Sequence, residues 1–133
     1  MKLGFLYAGQ GSQHAGMGAD LYEAFSAFRA VYDHAEVDFD LKKVTFEDPD
    51  GIINQTRYTQ PCMVAFAAGM TAVLREKGII PEVAAGLSLG EYSALQAAGE
   101  DPFQVTRFDW DHTSAQIKEH FDQMEGRAVK VAG

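Results

Sequence analysis

The chain has 133 residues, enough for one domain with its own hydrophobic core. Hydrophobic residues make up 47% and charged residues 23%, the balance of a folded globular protein rather than a disordered one. Eleven basic against nineteen acidic side chains give a net charge of −8. That argues against a nucleic-acid partner, and an anionic substrate would need positive groups placed locally. The single cysteine, Cys62, excludes an internal disulfide and fits a reducing compartment. With no histidine beside it in a suggestive pattern, it reads as a small core residue rather than a nucleophile. No run approaches the roughly 18 apolar residues of a membrane span, and the N-terminal apolar run, broken at Gly9, lacks the form of a signal peptide. A cytoplasmic location is the expectation.

Residues 3–8 read as a first strand, apolar enough to be buried on both faces. The loop Gly9-Gln10-Gly11-Ser12-Gln13 follows, extended by Gly16 and Gly18. It fails as a phosphate loop. His14 stands where the third glycine of the dinucleotide fingerprint belongs, and no Gly-Lys-Ser/Thr follows. Two readings stay open: a tight loop that carries backbone and the Gln10 side chain to a site, or a plain turn. Residues 20–35 read as one amphipathic helix, with Leu21, Phe25, Phe28, Val31 and Ala35 at three- and four-residue steps. His34, near its end, reads as a surface residue compensating the helix dipole. Residues 37–46 are acidic and weakly helical, and Glu47-Asp48-Pro49-Asp50-Gly51 is a turn. The longest helix is predicted to open at Gln60-Pro61, with Thr59 or Gln60 as cap and Pro61 at the first helical position. Val64, Ala67, Met70, Val73 and Leu74 form its apolar stripe, Met63 and Met70 serve packing, and Gly78 ends it.

Ile79-Ile80-Pro81 leads into a short buried strand over 83–85. Gly86-Leu87-Ser88-Leu89-Gly90 then fits Gly-x-Ser-x-Gly, and the pattern turns helical through Ala98. Strand, sharp turn with a serine at its tip, then helix is the context of a nucleophile elbow. Glycines on either side let strand and helix approach closely, and the helix N-terminus offers N–H groups to an oxyanion. The plain alternative is a glycine turn with Ser88 as helix cap. Strand, helix, helix, strand, elbow, helix predicts an α/β fold, a parallel sheet flanked by helices. After the break at Gly99-Glu100-Asp101-Pro102 the chain reads as a separate tail, 99–133, against a core of 1–98. The tail holds a short strand with Phe103, Val105 and Arg107, then a helix opened by Thr113-Ser114-Ala115-Gln116 with Ile117, Phe121 and Met124 on one face, then a last strand over 128–132. His112 and His120 read as surface residues.

Three blocks in order carry a family resemblance: Tyr7-Ala8-Gly9-Gln10-Gly11-Ser12-Gln13 with Gly16-Met17-Gly18; Thr56 with Thr59-Gln60-Pro61; and the stretch from Ala85 through Ser88 to Leu95. Together they resemble the N-terminal third of the malonyl-CoA:acyl carrier protein transacylases, acyltransferases of fatty acid biosynthesis with an α/β-hydrolase-like core. The resemblance implies that Ser88 is the nucleophile, taking the malonyl group from coenzyme A as an ester. The phosphopantetheine thiol of the acyl carrier protein then attacks that ester. It implies an oxyanion hole at Gln10 and the backbone N–H of Leu89, and substrate-binding roles for Gln60 and Gly9. It implies no metal and no cofactor beyond the malonyl-CoA substrate and the partner's phosphopantetheine. Leu87 stands where many relatives carry histidine before the serine.

The resemblance stops near Gly99. The family's downstream catalytic histidine, and its arginine for the malonyl carboxylate, have no matching context, so neither role falls on His112, His120 or Arg107. Thr106-Arg107-Phe108-Asp109 with Val129-Lys130-Val131-Ala132-Gly133 faintly resembles an N-terminal stretch of the condensing ketosynthases. The expectation is a truncated acyltransferase of impaired activity, complete in its nucleophile and oxyanion elements. The alternatives are a non-catalytic folded fragment that self-associates through an exposed sheet edge, and a serine esterase.

Overall fold

The computed structural model describes residues 2–98 and the backbone of 129–130. In chain order the elements are β1 (Gly4–Tyr7), α1 (Ala19–Ala24), α2 (Ser26–His34), α3 (Leu41–Phe46), α4 (Thr56–Glu76), β2 (Val83–Gly86), α5 (Gly90–Ala97) and β3 (Val129–Lys130). β1 and β2 run parallel, with Gly4 opposite Val83 and Tyr7 opposite Gly86. The crossover between them carries α1 to α4, and α5 packs back on both strands. β3 adds to the other edge of β2 in antiparallel sense, giving the order β1-β2-β3. The fold is the expected α/β arrangement, a small parallel sheet with flanking helices. The predicted strand and helix between residues 103 and 126 lie outside the described residues.

Three expectations are corrected and one is sharpened. The helix over 20–35 is two helices, because Phe25 is extended (φ −126°, ψ 119°) between α1 and α2. The apolar spacing runs unbroken through the bend, so periodicity could not register it. α4 begins at Thr56, which leaves Pro61 inside the helix rather than at its first position. The cap residue is Gln55, and its side chain makes no capping hydrogen bond. That start therefore lacks the Ser/Thr/Asp signature by which helix starts are read. The weakly helical segment 37–46 resolves into α3, capped by Asp40, whose carboxylate accepts from the Lys43 N–H at 3.1 Å. β1 is not buried on both faces: Leu6 is 86% exposed. Among the described residues β1 has no neighbour beyond β2, and nothing covers its outward face.

The main core lies between α2 and α4, where Phe28, Tyr32, Leu41, Val44, Ile53, Cys62 and Ala65 are buried together. Phe28 is its centre, fully buried, stacked on Tyr32 at 5.0 Å between ring centroids and edge-on to Phe66. The ring fits because Gly69 of α4 has no side chain. A Cβ there would stand 2.5 Å from Phe28 Cδ2, and one at Gly18 would stand 2.8 Å from Cζ on another side. The foot of α4 is tied to α5 by Arg75, whose guanidinium donates to the Ala97 carbonyl, one of the acceptors left open at a helix C-terminus. Helix propensity alone favours alanine over glycine by about 1 kcal/mol. Here the ring has nowhere to go, and overpacking costs about 1–3 kcal/mol. Gly69→Ala should therefore lower the urea midpoint despite the better helix former, and an increase would contradict this packing.

Candidate active site

Ser88 sits at the exposed tip of the turn between β2 and α5 with φ +54°, in the left-handed region. A residue with a Cβ pays roughly 1–2 kcal/mol for that conformation, so the surroundings must impose it. They do so by backbone contact. The Leu87 N–H donates to the Tyr7 carbonyl at 3.2 Å, extending the sheet by one bond beyond β2. A Cβ on Gly86 would lie 1.9 Å from the Gly90 carbonyl carbon, and one on Gly90 would lie 2.3 Å from the Tyr7 oxygen. The ends of β1, β2 and α5 therefore meet at a spacing that only glycine at both positions permits. Leu89 is 2% exposed and packs on Val64 of α4, while Leu87 is 76% exposed. The turn thus anchors one side chain inward and leaves its neighbour and the serine outside.

Three tight bonds close the start of α5: Gly90 N–H to Leu87 O (3.0 Å), Glu91 N–H to Ser88 O (3.0 Å) and Tyr92 N–H to Leu89 O (3.1 Å). Those donors are spent. The N–H groups of Ser88 and Leu89 enter no backbone hydrogen bond among the described residues. The cap position of α5 is Leu89, and no side chain caps the helix, so the Ser88 hydroxyl is not a helix cap. Of the two readings of the motif, this geometry fits the elbow.

The glycine loop reaches the same place. A Cβ on Gly9 would stand 2.7 Å from the Leu87 oxygen, so the loop backbone rests on the elbow. The Gln10 side chain is engaged elsewhere, its Nε2 donating to Thr56 Oγ1 at 3.0 Å. Gln13 accepts from the Gly11 N–H at 2.8 Å and donates to Asn54 Oδ1 at 2.8 Å. Gln60 lies on α4 one turn beyond Thr56 and one turn before Val64, the residue that packs on Leu89. Its Oε1 is buried without a hydrogen-bond partner among the described residues. Gly9, Gln10, Ser88 and Leu89 are thus gathered at the ends of β1 and β2, with Gln60 on the α4 stripe that meets them. Sequence reading missed Asn54 and Thr56 as partners of the loop. The only signal was that Thr56 fell in a matched block.

The described histidines make local contacts. His14 Nδ1 donates to the Ala15 carbonyl at 3.2 Å, and His34 Nδ1 to Ala30 at 2.8 Å near the end of α2. His112 and His120 lie outside the described residues. A cavity of about 460 Å³ runs along β1 and α4, lined by Phe5, Tyr7, Met63, Phe66 and Met70 with His14, and does not include Ser88. Cys62 is fully buried, and burial pushes its thiol up to about 11 although the Thr45 hydroxyl donates to its sulfur. Among the described residues no three metal-binding side chains cluster, and no helix is long and apolar enough to cross a membrane.

The acyl transferase domain family matches residues 4–101. The chain belongs to this family. Among its acyltransferase relatives, the malonyl CoA-acyl carrier protein transacylase of Bacillus subtilis (strain 168) is 39% identical over 134 residues, covering 99% of this chain and 42% of that protein. The Synechocystis protein of the same name is 41% identical over 100 residues, covering 74% of this chain and 34% of its own length. Polyketide synthase GfsA of Streptomyces halstedii is 35% identical over 113 residues, 74% of this chain and 2% of that protein. Among solved structures, the Streptococcus pneumoniae transacylase superposes with a TM-score of 0.75 at 38% identity, covering 93% of this chain and 39% of that one. A malonyl-transacylase in complex with a type II polyketide synthase acyl-carrier protein gives 0.76 at 33% identity, covering 92% and 40%. The chain spans 34–42% of the length of the two transacylases first named. Its fold is accordingly a partial version of the acyltransferase fold. The family match ends at residue 101, whereas the Bacillus alignment continues through nearly the whole chain.

Two predictions follow from this geometry. Left-handed strain at residue 88 is relieved by glycine and kept by alanine, so Ser88→Gly should be more stable than Ser88→Ala by about 1 kcal/mol in urea unfolding. Equal stabilities would argue against the positive φ. At pH 8 the Cys62 thiolate fraction should be roughly a hundredfold below that of a free cysteine. Iodoacetamide should therefore modify the native protein only as fast as it opens, and prompt alkylation would place Cys62 at the surface.

Proposed function

We propose that the chain is the nucleophile-bearing part of a malonyl-CoA:acyl carrier protein S-malonyltransferase. The observation that carries this reading is Ser88, exposed at φ +54° on a strand–turn–helix elbow beside unspent backbone N–H groups. The Ser88 oxygen attacks the thioester carbonyl of malonyl-CoA. The carbon–sulfur bond breaks, the hydroxyl proton passes to the departing thiolate, and a malonyl ester remains on Ser88. The phosphopantetheine thiol of an acyl carrier protein then attacks the ester, the carbon–oxygen bond breaks, and the thiol's proton passes to the serine oxygen. Charge on the carbonyl oxygen is met by the backbone N–H groups of Leu89 and Gln10. Gln60 and Gly9 border the acyl group, Gln60 with a buried amide oxygen that has no described partner.

A serine needs a general base for full rate, and such a group contributes about 10²–10⁴-fold. None of the described histidines is assigned that role, so acylation by these residues alone is slow. A fatty acid role follows the resemblance, a cytoplasmic location follows the sequence composition, and the polyketide synthase relative favours a second pathway for the same chemistry. The open edge of β1, with Leu6 exposed beside an apolar groove, supports self-association of a chain of this length.

Radiolabelled malonyl-CoA should acylate the wild-type chain slowly, Ser88→Ala should take up none, and the label should move to added holo-acyl carrier protein. Wild-type uptake no greater than that of Ser88→Ala would overturn the transferase reading. Release of the label to water faster than to the carrier protein would favour an esterase. Size-exclusion chromatography should show a dimer or larger species that grows with concentration, and a monomer throughout would remove the edge-pairing proposal.

A further inference from the structure

We propose that Asn54 and Thr56, at the head of α4, are positioning residues that hold the Gln10 loop in register with Ser88. The inference rests on the acyltransferase reading. The glycine loop has no regular secondary structure of its own, yet two carboxamides tie it to one short stretch: Gln10 to Thr56 and Gln13 to Asn54. Gln13 also accepts from the Gly11 N–H, so its single amide group fixes the loop backbone and anchors it at once. The anchor is itself held. Thr59, one turn into α4, directs its hydroxyl at the carbonyls of Ile53 and Gln55, which flank Asn54.

The same helix governs the other oxyanion donor. Val64 lies eight residues beyond Thr56, about 12 Å along the axis, and is buried against Leu89. One rigid element therefore touches both sides of the oxyanion hole, Gln10 through a hydrogen bond and Leu89 through packing. The spacing between the two backbone N–H groups is set by α4 rather than by the loop. The Gln10 amide is thereby committed to Thr56 as the tether, which leaves the backbone N–H for the oxyanion.

Thr56→Val keeps the side-chain shape and removes the acceptor. Acylation of Ser88 at saturating malonyl-CoA should slow about three- to tenfold, the worth of one neutral hydrogen bond, with the half-saturating concentration unchanged. Thr56→Ser should return the rate to within about twofold of wild type. An unchanged rate in Thr56→Val, an equal loss in Thr56→Ser, or a shift in half-saturation instead of rate would overturn the proposal. A second readout is independent of activity. The Gln10 side-chain amide protons should exchange with solvent faster in Thr56→Val, as should those of Gln13 in Asn54→Ala, and unchanged exchange would overturn the tether. Absence of wild-type acylation would defeat the acyltransferase reading, and the tether would then be decided by the exchange measurement.

Discussion

Two missing side chains govern this structure. At Gly86 and Gly90 the backbones of β1, β2 and α5 come together more closely than any Cβ would allow. The contact fixes how α5 leaves the sheet. It also forces the intervening residues through a turn too sharp for right-handed backbone throughout, and Ser88 is the residue that takes the left-handed conformation. Three consequences follow from one constraint. The serine is exposed, the following leucine is driven inward onto α4, and the N–H groups at 88 and 89 are left out of the backbone ladder. Strain of this kind persists only where the surroundings over-determine it, and here the sheet on one side and α4 on the other do so.

The helix α4 carries the constraint outward. Its middle packs around Phe28 through the gap at Gly69, its end grips the C-terminus of α5 through Arg75, and its head holds the glycine loop. Sequence-distant groups reach one place because each is referred to this helix. The cost of the arrangement falls on the sheet. With β1 as the outer strand among the described residues, Leu6 faces outward at 86% exposure, and Val83 is 41% exposed. A buried parallel strand reads as a continuous apolar run. Residues 3–8 have that run, yet among the described residues Leu6 has no cover.

What could be read beforehand divides along physical lines. The elbow was legible because glycine at two fixed positions around a serine states a backbone requirement, and backbone requirements are local. The strands on which it is built followed from the same local patterns, whereas two expected helices between them became four. The bend at Phe25 was hidden because the apolar residues keep helical spacing straight through it. The true start of α4 was hidden because Gln55 caps without its side chain, while Pro61 offered a misleading signal six residues later. The tether between Gln10 and Thr56 spans 46 residues of sequence and obeys no period. Such pairings are created by the fold and cannot be read from either partner alone. The exposure of Leu6 was invisible for a different reason: the run records the cover a strand is built for, and not whether that cover is present.

Crowding at two glycines holds Ser88 exposed at a left-handed turn. A crystal structure of the chain, resolved well enough to define the backbone from 83 to 97, tests it most directly. The expected result is extended chain to Gly86, a positive φ near +54° at Ser88 with its hydroxyl in solvent, and helix from Gly90. A negative φ at Ser88, a buried hydroxyl, or a helix running unbroken across residues 86–90 would contradict it.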